Sequence, residues 1–150
     1  MKLKIPPPLV TLIFAAIMYV LAKFLPIGYF DFFGRIYVAY TLAGFAILIM
    51  MISILQFFIA KTTTNPVSPS KAKKLVINGI YQYSRNPMYL SMLLSLLTIG
   101  LWLGNAFNVL IAAAFVSYMN KFQIIPEEQA LTKIFDKEYK QYCILVRRWF

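Results

Sequence analysis

Long apolar runs separated by short polar breaks dominate the chain. The first run, about residues 9–25, carries Lys23 near its end and is broken by Pro26 and Gly28. Asp31 and Arg35 then mark a short polar loop. Ile36 to Ala60 follows as 25 residues without a charge. A helix there spans roughly 37 Å, enough to cross a hydrocarbon core of about 30 Å with some tilt. Asn86 to Asn120 is also uncharged, but its 35 residues are too long for one crossing. Gly100, Gly104 and Asn105 interrupt it, which predicts two helices, about 87–103 and 106–122, joined by a tight hairpin. Gly100 and Gly104 also form a small-xxx-small match, and a turn is the preferred reading.

The remaining segments differ in pattern. Lys61 to Ser84 is a polar connection with Pro66, Pro69, four lysines and Gly79. From about 126 to 146, Leu131, Ile134, Phe135, Tyr139 and Tyr142 recur at helical spacing. Lys133, Asp136, Lys137 and Lys140 take much of the other face. That pattern predicts an amphipathic helix on the membrane or over the spans. The expectation is an all-α integral membrane protein. It has about four transmembrane helices, a C-terminal amphipathic helix and one domain over residues 1–150.

Composition agrees: 61% of the residues are hydrophobic and only 13% are charged, too few charges for a soluble domain. Pro6 to Pro8 precede the first run and no small-residue cleavage site follows it. The run is therefore expected to stay as a span. The chain has no histidine, the usual metal ligand and neutral-pH proton carrier, and no metal is expected. Cys143 is the single cysteine, which excludes an intrachain disulfide; it reads as a small apolar filler.

The net charge of +10 raises the question of nucleic acid. The basic residues mostly flank apolar spans, however, so orientation and anionic lipid explain them better. With four crossings, Lys2, Lys4, Lys61 to Arg85 and Lys121 to Arg148 fall on one side. The positive-inside rule makes that side, with both termini, cytoplasmic.

Two stretches on that side can carry chemistry. One is Gly79-Ile80-Tyr81-Gln82-Tyr83-Ser84-Arg85-Asn86-Pro87-Met88-Tyr89-Leu90. Asn86 before Pro87 predicts a helix start, with Asn as cap and Pro in the first turn. The N–H groups of Met88 and Tyr89, beside Arg85, would then suit a carboxylate or phosphate. The plainer reading is a span that begins with an arginine at the headgroups. The other stretch begins Pro126-Glu127-Glu128 and runs through Leu131, Phe135, Tyr139 and Tyr142 to Val146-Arg147-Arg148-Trp149; Glu127 and Glu128 are two of only five acids in the chain. Near a helix start they complement the helix dipole; alternatively, a carboxylate at the membrane boundary anchors a cation.

Together the stretches resemble the isoprenylcysteine carboxyl methyltransferase and phospholipid methyltransferase superfamily, closest to its small bacterial members. The likeness covers roughly residues 65–150. The family's G-x-Y-x-x-x-R-[HN]-P-x-Y block reads here as Gly79, Tyr81, Arg85, Asn86, Pro87 and Tyr89. A helical hairpin follows. The E-E-x-x-L-x-x-x-F-G-x-x-Y-x-x-Y block then reads Glu127, Glu128, Leu131, Phe135, Tyr139 and Tyr142. Asn86 stands for a common histidine, and Asp136 for the usual glycine. Gln123 replaces an arginine that resembles a substrate clamp in prenylcysteine-modifying members.

The resemblance implies S-adenosylmethionine as cofactor, held by Lys74, Leu75, Val76, Tyr81, Asn86, Pro87, Met88, Tyr89 and Glu127. Arg85, Tyr89 and Glu128 would position the reactants, and Gln123 would face the acceptor. The acceptor is expected to be a lipid or other amphiphile in a bacterial inner membrane, with Ala112 to Ala114 leaving room for its chain. Two other readings stand beside this one. Tyr142-Cys143 is similar to part of the sterol reductase block, which implies a nicotinamide cofactor. A lipid-binding membrane protein without catalysis would also account for the basic face.

Overall fold

The computed structural model describes residues 5–60 and 75–150. Its elements are α1 (Pro7–Phe24), α2 (Arg35–Ile59), α3 (Pro87–Leu103), α4 (Asn108–Met119) and α5 (Ile125–Leu145). Short 3₁₀ turns lie at Pro26–Gly28 and Gly79–Gln82, and the π-helical turn Asn120–Ile124 joins α4 to α5. Among the described residues the only β-type pairing is an isolated bridge between Tyr29 and Asn105. The protein is an all-α membrane protein. Pro7–Phe24, Arg35–Ile59 and the helical stretch Asn108–Leu145, which is kinked at Asp136, are long and apolar enough to cross a bilayer, and Pro87–Leu103 is a shorter apolar helix.

Burial follows from residue size. Along α2 the buried positions are Ala39, Ala46 and Ser53, seven apart, while Phe45, Ile47, Leu48, Met51 and Leu55 are exposed. Small side chains on one stripe let backbones approach, which is how helices pack where lipid is as apolar as leucine. α2 accordingly makes its main contact with α3. The core lies between α1, α3 and α4: Val10 and Met18, Met92 and Leu96, Ala112, Phe115 and Met119. Phe14 meets Phe115 edge-on at 5.5 Å between centroids.

The helices alternate in direction, so the start of α3 and the end of α4 share one end of the bundle. The opposite end is tied by hydrogen bonds between the Leu25–Phe30 segment and the hairpin. Phe30 N–H donates to Gly104 O, and Ala106 N–H to Gly28 O, each at 2.8 Å. The Asn105 amide donates to Leu25 O at 2.8 Å. Gly104 closes α3 at φ +62°, with the Arg35 guanidinium where a Cβ would stand. The turn reading of Gly104 is borne out, and Gly100 packs within the chain against Asn108.

Two local expectations need correction. No new helix starts at Pro126: Ile124 and Ile125 are both helical, and the path runs unbroken from Asn108. Proline lacks an N–H and crowds the preceding turn, and the π turn just before it relieves that conflict. Glu127 and Glu128 therefore sit inside a helical path, and a helix dipole does not explain them. Ala112 to Ala114 do not form a roomy wall either. Ala112 is packed in the core, while Ala113 and Ala114 point outward.

Candidate functional site

The loop before α3 is held by α2 below and α5 above. Gly79 adopts φ +63°, and a Cβ there would collide with the Gln56 side chain. The Gln56 amide, oriented to satisfy both its atoms, donates to Asn78 O at 3.2 Å and accepts from Ile80 N–H at 3.1 Å. Tyr81 is buried, its ring edge-on to Phe57 at 5.4 Å. Tyr142 of α5 donates to Tyr81 O at 2.6 Å. Leu75 joins Tyr139, Tyr142 and Val146 in a small core, with Ile77, Leu131, Phe135 and Cys143 around it. The apolar stripe of α5 is thus spent on the loop, and its charged face is left outward.

This clamp brings the two polar stretches into contact. The Tyr89 hydroxyl donates to Glu127 Oε2 at 2.8 Å. Glu128 faces two cations. Arg148 donates to it through Nε at 3.1 Å and Nη2 at 2.8 Å, and Arg85 Nη1 lies 3.3 Å from Oε1. A two-pronged guanidinium–carboxylate pair of this kind fixes geometry as well as charge. Arg85 also touches Cys143 Sγ, so the cysteine sits beside a cation rather than only filling apolar space. Gln123 is buried, beside the Tyr89 hydroxyl, and its Nε2 has no hydrogen-bond partner among the described residues.

The two carboxylates differ electrostatically. Burial pushes the Glu127 carboxyl up to about 7, with the Tyr89 hydrogen bond acting the other way and Glu128 adding to the rise. A desolvated carboxylate without a full counter-charge favours its neutral form. The Arg148 guanidinium is held more firmly protonated, chiefly by its hydrogen bonds to Glu128. Burial raises the Tyr81 and Tyr142 hydroxyls, so both are neutral donors. Of these two adjacent carboxylates, Glu128 is compensated by Arg85 and Arg148, and Glu127 has no cation partner among the described residues.

A C-terminal strap completes this end. Arg147 O accepts from Arg85 N–H at 3.0 Å, Arg148 O accepts from the Asn86 amide at 2.9 Å, and Trp149 Nε1 donates to Asn120 Oδ1 at 3.1 Å. Asn86 consequently does not cap α3 with its side chain, as its position had suggested; the amide is used on the strap instead. Nor is the Tyr89 N–H free: it bonds Asn86 O at 3.0 Å, leaving Met88 of the two expected donors. Lys74 lies outside the described residues. Leu75 and Pro87 are buried, while Val76 and Met88 are partly exposed. Arg148 and Trp149 were expected only as the end of the second stretch, without a role, and Asn120 and Gln56 were not anticipated. The one sequence signal for them was polar or basic residues set among apolar neighbours at the ends of spans.

An apolar helical bundle with a polar, carboxylate-bearing cluster at one end defines a membrane protein with a candidate site at that end of the bundle. The chain belongs to the phospholipid methyltransferase family, whose model matches residues 34–138. The match takes in α2, α3, α4 and most of α5. The chain is also 48% identical over 62 residues to an uncharacterized protein of Haemophilus influenzae; that stretch is 41% of this chain and 98% of the relative. No solved structure matches.

Proposed function

We propose that the protein is an S-adenosylmethionine-dependent methyltransferase acting on a lipophilic or amphiphilic acceptor. The observation that carries this reading is the bond between Tyr89 and Glu127. It joins the two family blocks around a carboxylate with no cation partner among the described residues. The residues fit the cofactor. Glu127 can accept from an ammonium group, and the Met88 N–H can donate to a carboxylate. Tyr81 and Tyr89 supply ring faces or edges at the same place, with Leu75, Val76, Asn86 and Pro87 as the surrounding wall.

When bound, S-adenosylmethionine supplies a methyl group on a positively charged sulfur, and the leaving group departs neutral. The chain's task is then to position two reactants and keep water away. Arg85 and Arg148 fix Glu128, Tyr89 orients Glu127, and the strap holds the start of α3 against α5. A carboxylate acceptor needs no base. Gln123 brings no positive charge, so the site does not select a carboxylate over a lipid amine.

The same reading places four crossings in a bacterial inner membrane, with both termini and the site cytoplasmic and the whole chain forming one unit. Its support is the alternation of the helices and the clustering of basic residues. The test is calorimetric titration of the purified protein with S-adenosylmethionine and with NADPH. Saturable binding of the first alone is expected. Binding of NADPH alone would replace this reading with the reductase one.

A further inference from the structure

Between Ile36 and Ala60 the chain carries no charge, and Gln56 is the one side-chain amide in that stretch. It stands in the last turn of α2, which ends at Ile59. Leu55, Phe58 and Ile59 around it are exposed, whereas Gln56 is partly buried. Among apolar side chains an amide costs free energy unless both its atoms find partners. Both partners of Gln56 belong to one loop. In the orientation that satisfies it, the amide donates to Asn78 O at 3.2 Å and accepts from Ile80 N–H at 3.1 Å. The side chain thus does for the loop what a neighbouring backbone peptide would do.

Gly79 lies between those two contacts. Its φ is +63°, and a Cβ there would overlap the Gln56 amide. Position 79 therefore needs glycine twice, for its backbone conformation and for the close approach of Gln56. The grip carries onward from the loop to the rest of the site. Phe57, beside Gln56, meets the Tyr81 ring edge-on at 5.4 Å. Tyr81 O accepts from Tyr142 of α5 at 2.6 Å, and further along Arg85 N–H donates to Arg147 O at 3.0 Å. The loop is held from α2 on one side and from α5 on the other, and α5 carries Glu127.

We propose that Gln56 is a positioning residue for the cofactor site: from the span α2 it fixes the loop Gly79–Gln82, and with it the groups proposed to hold S-adenosylmethionine. The proposal rests on the methyltransferase reading. Gln56 acts through the loop backbone and makes no contact with the cofactor itself. Its loss leaves the loop free to sample other positions, and binding must then fix it again. A saturating cofactor holds the loop by its own contacts. The cofactor KM should therefore rise while kcat changes little, the pattern of lost binding without lost chemistry. A residue needed only for folding would lower the amount of active protein and leave KM alone.

The test uses the full chain in nanodiscs of a total lipid extract. Gln56→Met keeps the length of the side chain and removes both bonds. Hydrogen exchange at Ile80 N–H should quicken by about tenfold, the loss of one to two neutral hydrogen bonds. The Kd for S-adenosylmethionine and its KM in methyl transfer should each rise by about tenfold. The kcat at saturating cofactor should stay within about twofold. Phe58→Leu, on the exposed side of α2, should change none of these. Gly79→Ala should also weaken binding, and by less once Gln56→Ala has cleared the space beside it. Wild-type affinity in a folded Gln56→Met protein would overturn the proposal. So would a fall in kcat as large as the rise in KM, or additive effects of the substitutions at positions 56 and 79. If the wild type binds no S-adenosylmethionine, the methyltransferase reading falls and this role falls with it, even with faster exchange at Ile80 in Gln56→Met.

Discussion

Tyr89 and Glu127, 38 positions apart, meet through a hydrogen bond of 2.8 Å, while Glu128 next door is claimed by Arg85 and Arg148. Adjacent carboxylates thus have different work to do, and their substitutions should separate. Glu127→Ala should weaken S-adenosylmethionine binding by roughly 10- to 150-fold, the loss of one charge-assisted bond worth about 1.5–3 kcal/mol. Glu128→Ala should mainly lower thermal stability, because it leaves two guanidinium groups facing each other. Calorimetry and melting curves on the two variants separate these effects. Equal, unchanged affinities would remove Glu127 from the cofactor site.

Binding should depend on pH through the same residue. Folding raises the Glu127 carboxyl from about 4.5 to about 7. The folded chain therefore keeps a proton that the unfolded chain has released. Below about 4.5 both states hold the proton. From there to about 7, stability of the ligand-free protein should fall as pH rises. A bound ammonium favours the ionised form. Affinity for S-adenosylmethionine should thus increase as pH rises toward 7, by up to about tenfold per unit, and then level off. Glu127→Gln should lose both effects. Titrations at several pH values check this, and a flat wild-type profile would contradict it.

Asp136 gives a test of backbone strain. It sits at φ +32° within α5, where the family pattern usually has glycine. A residue with a Cβ pays about 1–3 kcal/mol for such a conformation. The exposed ion pair with Lys140 at 2.7 Å returns little. Asp136→Gly should therefore stabilise the protein by about 1 kcal/mol, after the entropic cost of glycine in the unfolded chain. A thermal melt reads the sign directly, and a drop in stability would show that the ion pair outweighs the strain.

The strap at the C-terminus should be a structural determinant of the site. Arg148→Ala removes a two-pronged contact from Glu128 but leaves Arg85 in place, so a loss of about 1 kcal/mol is expected. Arg148→Lys should not restore it, because an ammonium cannot reproduce the paired geometry. Denaturation in detergent can rank the three proteins. A full rescue by lysine would mean that only charge matters there.

Much of this was legible from residue pattern. Uncharged length marked out α2, and Gly104 marked the hairpin. The resemblance of the blocks around Arg85 and Glu127 to one family implied that two distant stretches share a site. What pattern did not reveal was long-range polar pairing. Asn86 before Pro87 has the local signature of a cap, and only the folded chain shows its amide spent on Arg148 O. Pro126 likewise has the local signature of a helix start. A π turn absorbs the proline and keeps the path continuous, a tertiary solution that local propensity does not encode. The buried amide of Asn108 was hidden for the same reason, since an asparagine near a hairpin turn ordinarily reads as exposed.

Transfer of an isotopically labelled methyl group from S-adenosylmethionine to bilayer components tests the central claim most directly. Purified wild-type protein is reconstituted into a total lipid extract, supplied with the labelled cofactor, and the products are separated into lipid, protein and aqueous fractions. Label is expected in the lipid fraction with the wild type and little with a folded Glu127→Ala variant. No incorporation into lipid by folded wild-type protein, or equal incorporation by Glu127→Ala, would contradict it.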